Sequence, residues 1–434
     1  MLASDLAQYP TSFIGAIVGK SELPVHELNR SKVARKGGRI WPLPSPTSNL
    51  TFNAWRLAHA VKKAELAAAL PTMLLSMSSA GFALEHSFVF KWNTNNFKLA
   101  PGNSFLYADF SATGLAGRVG QGIAYLFMEG QGYPFGEHLK SFMSRQMRMS
   151  VQRPKWGTRF ARLLHKNPLP RESFDFVFEN GGGGVAIAES KGSFVHLDTT
   201  PNIKKDLNAA LLQLRPWVSL IEPAPSKSYA IGSYLRDELD TQSSLVAYVD
   251  PDSDEPKEPA SIPEDTPRRG NYAAWLLGMG LQDTARALLG QIPERSLEEN
   301  TLLTAKIGNR SFPFAIGWLR TKSQILFPLQ GWANLGGIPP DYPFFYEKFL
   351  DSVGKRFEAV GIIGIESGIL KNVGKLAKGG VSAKELRLAT DSIWPSTEKF
   401  KDDESFKGSI FSDGTIFGEI NLMSNVINEE IFQL

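Results

Sequence analysis

Apolar positions along the chain repeat with two periods. Trp55, Ala58, Val61, Leu66 and Leu70 recur near helical spacing, which predicts a helix over residues 52–70. His86, Phe88, Phe90 and Trp92 alternate with other residues, so 86–92 reads as a strand with those four on one face. Residues 104–110 read as another strand. Residues 113–129 read as a helix, although Gly117, Gly120 and Gly122 lower its propensity; close packing on a neighbouring element accounts for them. Residues 137–165 read as mostly helical. Two short strands follow, 173–178 and 185–191, separated by Glu179, Asn180 and four glycines, the signature of a hairpin whose turn needs positive φ. A helix over 203–217, strands over 227–235 and 244–249, and a helix over 271–289 complete the clear pattern. Ser412-Asp413-Gly414-Thr415, flanked by Ile410-Phe411 and Ile416-Phe417, predicts a late hairpin.

The 434 residues suit about two or three domains, and 42% hydrophobic content is ample for folded cores. Residues 250–269 hold five prolines and seven acids, which marks a linker or exposed loop. The expected organisation is α/β. An N-terminal α+β region spans 1–111, a central domain 112–250, an acidic proline-rich linker 251–269 and a mainly helical domain 270–434. There is no cysteine, which excludes disulfides, thiolate metal sites and a cysteine nucleophile. No basic residue precedes Lys20, so no positively charged export signal is expected. Residues 66–84 carry no charge but include Pro71 and four serine or threonine residues within Thr72–Ser79; they read as two buried elements, not a membrane span. A cytoplasmic protein without a membrane partner is the expectation.

Candidate chemistry concentrates on the central hairpin. Glu189 and Lys191 lie two apart on one strand and therefore share a face, beside the strand that carries Asp175. Two acids and a lysine at the end of an apolar hairpin are costly unless they bind something. A divalent cation would satisfy the carboxylates, and Mg²⁺ needs only one or two of them because it keeps several waters. Bound there, Mg²⁺ (or Mn²⁺) can polarise a phosphate oxygen, and the lysine can orient a water or stabilise developing negative charge.

With this pattern the sequence resembles the PD-(D/E)xK nuclease superfamily over residues 113–250. Asp175 matches the first acid, Glu189 the second and Lys191 the lysine. The predicted order of helix, hairpin strands, helix and further strand also resembles its core. The resemblance implies a restriction-endonuclease-like fold, a mixed sheet flanked by helices. It implies Asp175, Glu189 and the Ser190 backbone carbonyl as metal ligands, and hydrolysis of DNA ahead of RNA, with restriction or antiphage defence as the family's habit. Two positions depart from the pattern. Phe174 stands where the name-giving proline often sits. Gln121, counted with the catalytic set, stands where many members carry a glutamate on the first helix. Glu129 cannot point into the same site, because eight helical residues turn about 80° past two full turns.

Residues 140–171 carry nine basic residues and no acid. Arg145, Arg148, Arg153, Lys155, Arg159 and Arg162 are the expected contacts to a phosphate backbone, and Arg30–Arg39 extends the same idea. Some members of the resembled superfamily use a polar residue on the 203–217 helix near the site, and Gln213 is a candidate for it, a helix-surface residue being the favoured reading; His196 reads as a strand-end or core residue. The alternative reading is a catalytically inactive nucleic-acid-binding or scaffold subunit on the same fold, with aromatic residues beyond 270 serving a protein partner.

Overall fold

The computed structural model describes residues 20–35, 37–65, 89–92, 94–103, 109–152, 170, 172–218, 220–221, 224–250, 267–291, 299–320, 325–326, 358–379, 405–422 and 427–434. Two compact units divide the chain between residues 271 and 272; the first is drawn from 19–67 and 85–271.

In chain order the first unit contains β1 (Ser21–Glu27), α1 (Arg30–Ala34), β2 (Ser48–Phe52), α2 (Ala54–Glu65), β3 (Phe90–Lys91), β4 (Lys98–Leu99), α3 (Asp109–Gly130), β5 (Phe135–His138) and α4 (Leu139–Gln152). It continues with β6 (Phe176–Glu179), β7 (Val185–Val195), α5 (Ile203–Leu214), β8 (Lys227–Arg236), β9 (Leu245–Val249) and the start of α6 (Pro267–Gly278). Seven strands form one mixed sheet in the order β2-β1-β9-β8-β7-β6-β5. β5, β6 and β7 are antiparallel neighbours, whereas β7 and β8 are parallel because α5 carries the chain back between them. On one face Val185 and Ile187 pack with Leu207, Leu211 and Leu214 of α5. On the other, Tyr125 and Phe127 of α3 meet Phe176, Phe178, Tyr229 and Tyr248 edge-on or tilted. Burying both faces explains why these strands read as apolar runs.

α3 lies unusually close to β7. A β-carbon at Gly192 would fall 1.9 Å from the Ala116 carbonyl oxygen, and one at Gly120 would fall 2.7 Å from the Gly192 α-carbon. Hydrogen side chains at both positions let helix and strand backbones touch, which is the reason for glycine in an otherwise apolar helix. The hairpin turn also follows its composition. Gly183 has φ of 80°, and the Gly184 amide donates to the Asn180 side chain at 2.7 Å.

The second unit contains the rest of α6, α7 (Gln282–Leu288), β10 (Glu299–Ile307), β11 (Arg310–Arg320), β12 (Ile325–Leu326), β13 (Ala359–Ile365), α8 (Ser367–Ala377), β14 (Phe406–Ile410), β15 (Thr415–Asn421) and β16 (Ile427–Gln433). Its sheet runs β14-β15-β13-β11-β10-β16, with β12 on β11, around a core that includes Leu303, Phe312, Phe314, Ile362 and Ile416. The β14–β15 hairpin is the one its sequence signals.

Three expectations need correction. Among its described residues the C-terminal part has more strand than helix: β13 is buried along its whole length and lacks alternation, and β11 carries Pro313 and a register shift between Ile316 and Trp318. The region 1–111 is not separate, because β1 pairs in parallel with β9 and so joins the central sheet. Such a pairing between distant segments leaves no local mark in sequence. Asp109 and Phe110 begin α3 instead of ending a strand. The predicted segments 66–84, 153–165 and 251–266 lie outside the described residues.

The close contact gives a paired test. Gly192→Ala is expected to cost about 1–3 kcal/mol of stability by overpacking. Gly114→Ala, on the same helix with open space around it, is expected to gain a few tenths to about 1 kcal/mol. Urea unfolding of both variants checks the difference.

Candidate active site

Asp175 precedes β6 and Glu189 sits in β7, and the pairing Phe176↔Ala188 brings their backbones side by side. Two contacts fix the approach to Asp175. The Phe174 ring is buried at 5.7 Å from Trp217, whose indole N–H donates to the Glu172 carbonyl at 2.9 Å. The Asp175 carbonyl accepts from the Leu139 amide at 3.0 Å. Phe174 thus anchors the strand entry at the position where the resemblance has proline.

The side chains form a connected set. The Asp175 amide donates to Glu189 Oε2 at 3.0 Å. Asp175 Oδ2 accepts from the Ser190 amide at 2.9 Å and its hydroxyl at 2.6 Å, and Asp175 Oδ1 accepts from Gln121 Nε2 at 3.3 Å. Lys191 Nζ lies 2.7 Å from Glu189 Oε1 and 2.7 Å from Gln213 Oε1, donating to both. Glu189 is 5% exposed at its side chain and Lys191 32%, so the lysine forms the solvent-facing rim. Burial, and then the neighbouring Asp175 charge, push the Glu189 carboxyl up to about 7 despite Lys191.

This arrangement suits a divalent cation. Two carboxylates lie together, one of them resisting ionisation because it is buried and because the other is beside it. Each retains acceptor capacity, since Glu189 accepts two hydrogen bonds and Asp175 three of the roughly four a carboxylate can take. Among the described residues there is no group of three or more histidine or acidic side chains that could hold a metal. Asp175 and Glu189 could still hold a cation such as Mg²⁺, which tolerates few protein ligands.

Gln121 reaches the site through Asp175, as a donor to its carboxylate. Glu129 turns away to pair with Arg56 at 2.6 Å, as helical geometry requires. Gln213 is not merely a surface residue: it holds Lys191. Asp206 was not apparent from sequence. It precedes Gln213 by seven residues, about 20° short of two turns, so both share a face of α5. Its carboxylate accepts from Tyr234 Oη at 3.3 Å and is close enough to feel the Lys191 charge, while burial raises its pKa. That spacing is the signal that finds it.

The basic segment divides. Arg145 is fully buried and paired with Glu137, so it is no contact for a phosphate backbone. Glu137 sits eight residues earlier on β5, where burial raises its pKa although Arg145 pairs with it. Arg148 is half-buried and donates to Ser144 at 2.7 Å. Arg153, Lys155, Arg159 and Arg162 lie outside the described residues. His196 is exposed beyond the end of β7.

The raised Glu189 pKa has a definite sign. The folded protein holds this proton to about pH 7, whereas the unfolded chain releases it near 4.5. The group's cost to the fold therefore grows as pH rises from 4.5 to 7 and is constant above. In EDTA, Glu189→Gln is expected to be more stable than wild type at pH 8 by about 2–3 kcal/mol, the order set by such a shift, with the gain vanishing near pH 4.5. Urea unfolding at several pH values measures it.

No protein-family model, curated protein or solved structure matches the chain.

Proposed function

We propose that this protein is a metal-dependent nuclease that hydrolyses phosphodiester bonds of DNA. The observation that carries the reading is the convergence of Asp175, Glu189 and Lys191 on one hairpin end, with Gln213 holding the lysine. The restriction-endonuclease-like assignment is supported by chain order. Helix α3, β5, helix α4, β6, β7, helix α5 and β8 follow one another, and the four strands lie adjacent in the sheet, β5, β6 and β7 antiparallel and β8 parallel to β7.

Hydrolysis adds a water oxygen to phosphorus and breaks one P–O ester bond. A Mg²⁺ bound by Asp175 and Glu189 would supply charge neutralisation and an acidified water. Lys191 can donate a hydrogen bond to the attacking water or to a phosphoryl oxygen as negative charge grows. Gln213 and Glu189 restrict its ammonium to one place, which lowers the cost of ordering it during the reaction. Ser190 and Gln121 orient Asp175.

One observation favours a second reading. Gln121 supplies an amide donor where the resembled family often has an acid, leaving two carboxylates instead of three. A catalytically inactive nucleic-acid-binding protein would be built this way.

The test is cleavage of plasmid, linear duplex, single-stranded DNA and RNA with Mg²⁺ or Mn²⁺. Wild type is expected to cut DNA. Lys191→Ala and Glu189→Ala, with folding verified by circular dichroism, are expected to lose about 100-fold or more. Metal-dependent cutting that survives both substitutions contradicts the site. Nucleic-acid binding without cutting selects the second reading.

A further inference from the structure

α5 has two functional ends. Its C-terminal end carries Gln213 against Lys191. At its start, residues 200–205 and 208 face residues 33–35 and 37–40 across an open cleft of about 270 Å³. Arg35, Arg39, Lys204 and Lys205 line it with Asn202 and Asn208, and no acidic residue is among the described lining residues. Arg35, Arg39 and Lys205 are exposed, and Lys204 donates to the Gly37 carbonyl, which ties the two walls together. Val33 seats α1 on the same core as Ile203 and Leu207, and Ile40 packs against it too, so the loop carrying Arg35 and Arg39 is anchored on both sides. The closest acid on α5, Asp206, is engaged by Tyr234. Exposed Arg35 and Lys32 and half-buried Arg30 continue the positive surface along α1.

A cavity walled by four cations fits an anionic ligand, and arginines favour phosphate because their donor fork matches its oxygens. From Lys204 to Gln213 is nine residues of helix, about 14 Å at 1.5 Å per residue. At about 3.4 Å of duplex axis for each phosphate of one strand, that span is a few nucleotides. We propose that this cleft grips the phosphodiester backbone of the DNA strand a few nucleotides from the bond that is cut. The inference rests on the nuclease reading for its substrate but on separate residues for its site.

Binding of a labelled 20-mer duplex by the full chain, without divalent metal and across a salt series, tests it. The Arg39→Ala/Lys205→Ala double variant is expected to bind at least about tenfold more weakly near 0.1 M salt. Its slope of log affinity against log salt is expected to fall by about two, at roughly 0.9 for each phosphate no longer neutralised. Lys306→Ala/Lys407→Ala removes two exposed lysines of the other unit and is expected to change neither quantity. Equal affinity and slope for the cleft variant and wild type would overturn the inference, as would a wild type that binds no DNA. Adenosine monophosphate at millimolar concentration is expected to displace the duplex only weakly. Displacement as effective as by unlabelled duplex would overturn the strand in favour of a free phosphate ester. Metal-dependent cleavage distinguishes the two readings. A cleft variant that binds and cuts like wild type leaves the nuclease reading standing without the cleft. Cleft-dependent binding with no cutting leaves the cleft standing without the nuclease.

Discussion

Asp175 and Glu189 are held together by the backbone pairing of β6 with β7. The Asp175 amide is bonded to the Glu189 carboxylate, and the hairpin register allows neither residue to retreat without shifting an apolar core. A second negative charge is therefore created inside a site that burial already makes unfavourable for the first. The surrounding residues act on this problem. Ser190 and Gln121 donate to Asp175, Lys191 donates to Glu189, and Gln213 fixes Lys191. The raised Glu189 pKa measures what that neutralisation leaves undone, and a divalent cation would complete it.

The scaffold serves the same end. Contact between α3 and β7 at Gly120 and Gly192 sets the helix that carries Gln121 directly on the strand that carries Lys191. α5, the crossover between parallel β7 and β8, brings Gln213 to the lysine from the other face. Two helices on opposite faces thus meet one hairpin end, and small side chains and a parallel crossover are what make that possible. Elsewhere in the same sheet, Glu137 with Arg145 and Glu179 with Arg268 are buried as ion pairs. There each acid has an arginine of its own; at the hairpin end Lys191 pairs with Glu189, and Asp175 is held by the neutral donors Ser190 and Gln121.

Much of this was legible in the chain itself. The hairpin could be read because glycines marked its turn and apolar residues its strands. The triad could be read because strand periodicity puts residues 189 and 191 on one face. Gln213 and Asp206 were less legible, since a helix face acquires meaning only once its neighbour is known. Arg145 was misread for a related reason: a cation in a basic run looks exposed until Glu137, on an adjoining strand, is seen to bury with it. The second sheet was missed because β13 has no polar face, so its period gives no signal. Local patterns thus located the two acids and the lysine, and tertiary pairing decided which residues surround them.

The most direct test of the central claim is a crystal structure with Mn²⁺, read from its anomalous scattering. The account expects a peak bridging the Asp175 and Glu189 carboxylates, lost in Asp175→Asn crystals. A fully occupied Mn²⁺ elsewhere in the chain with none between these two carboxylates would contradict it.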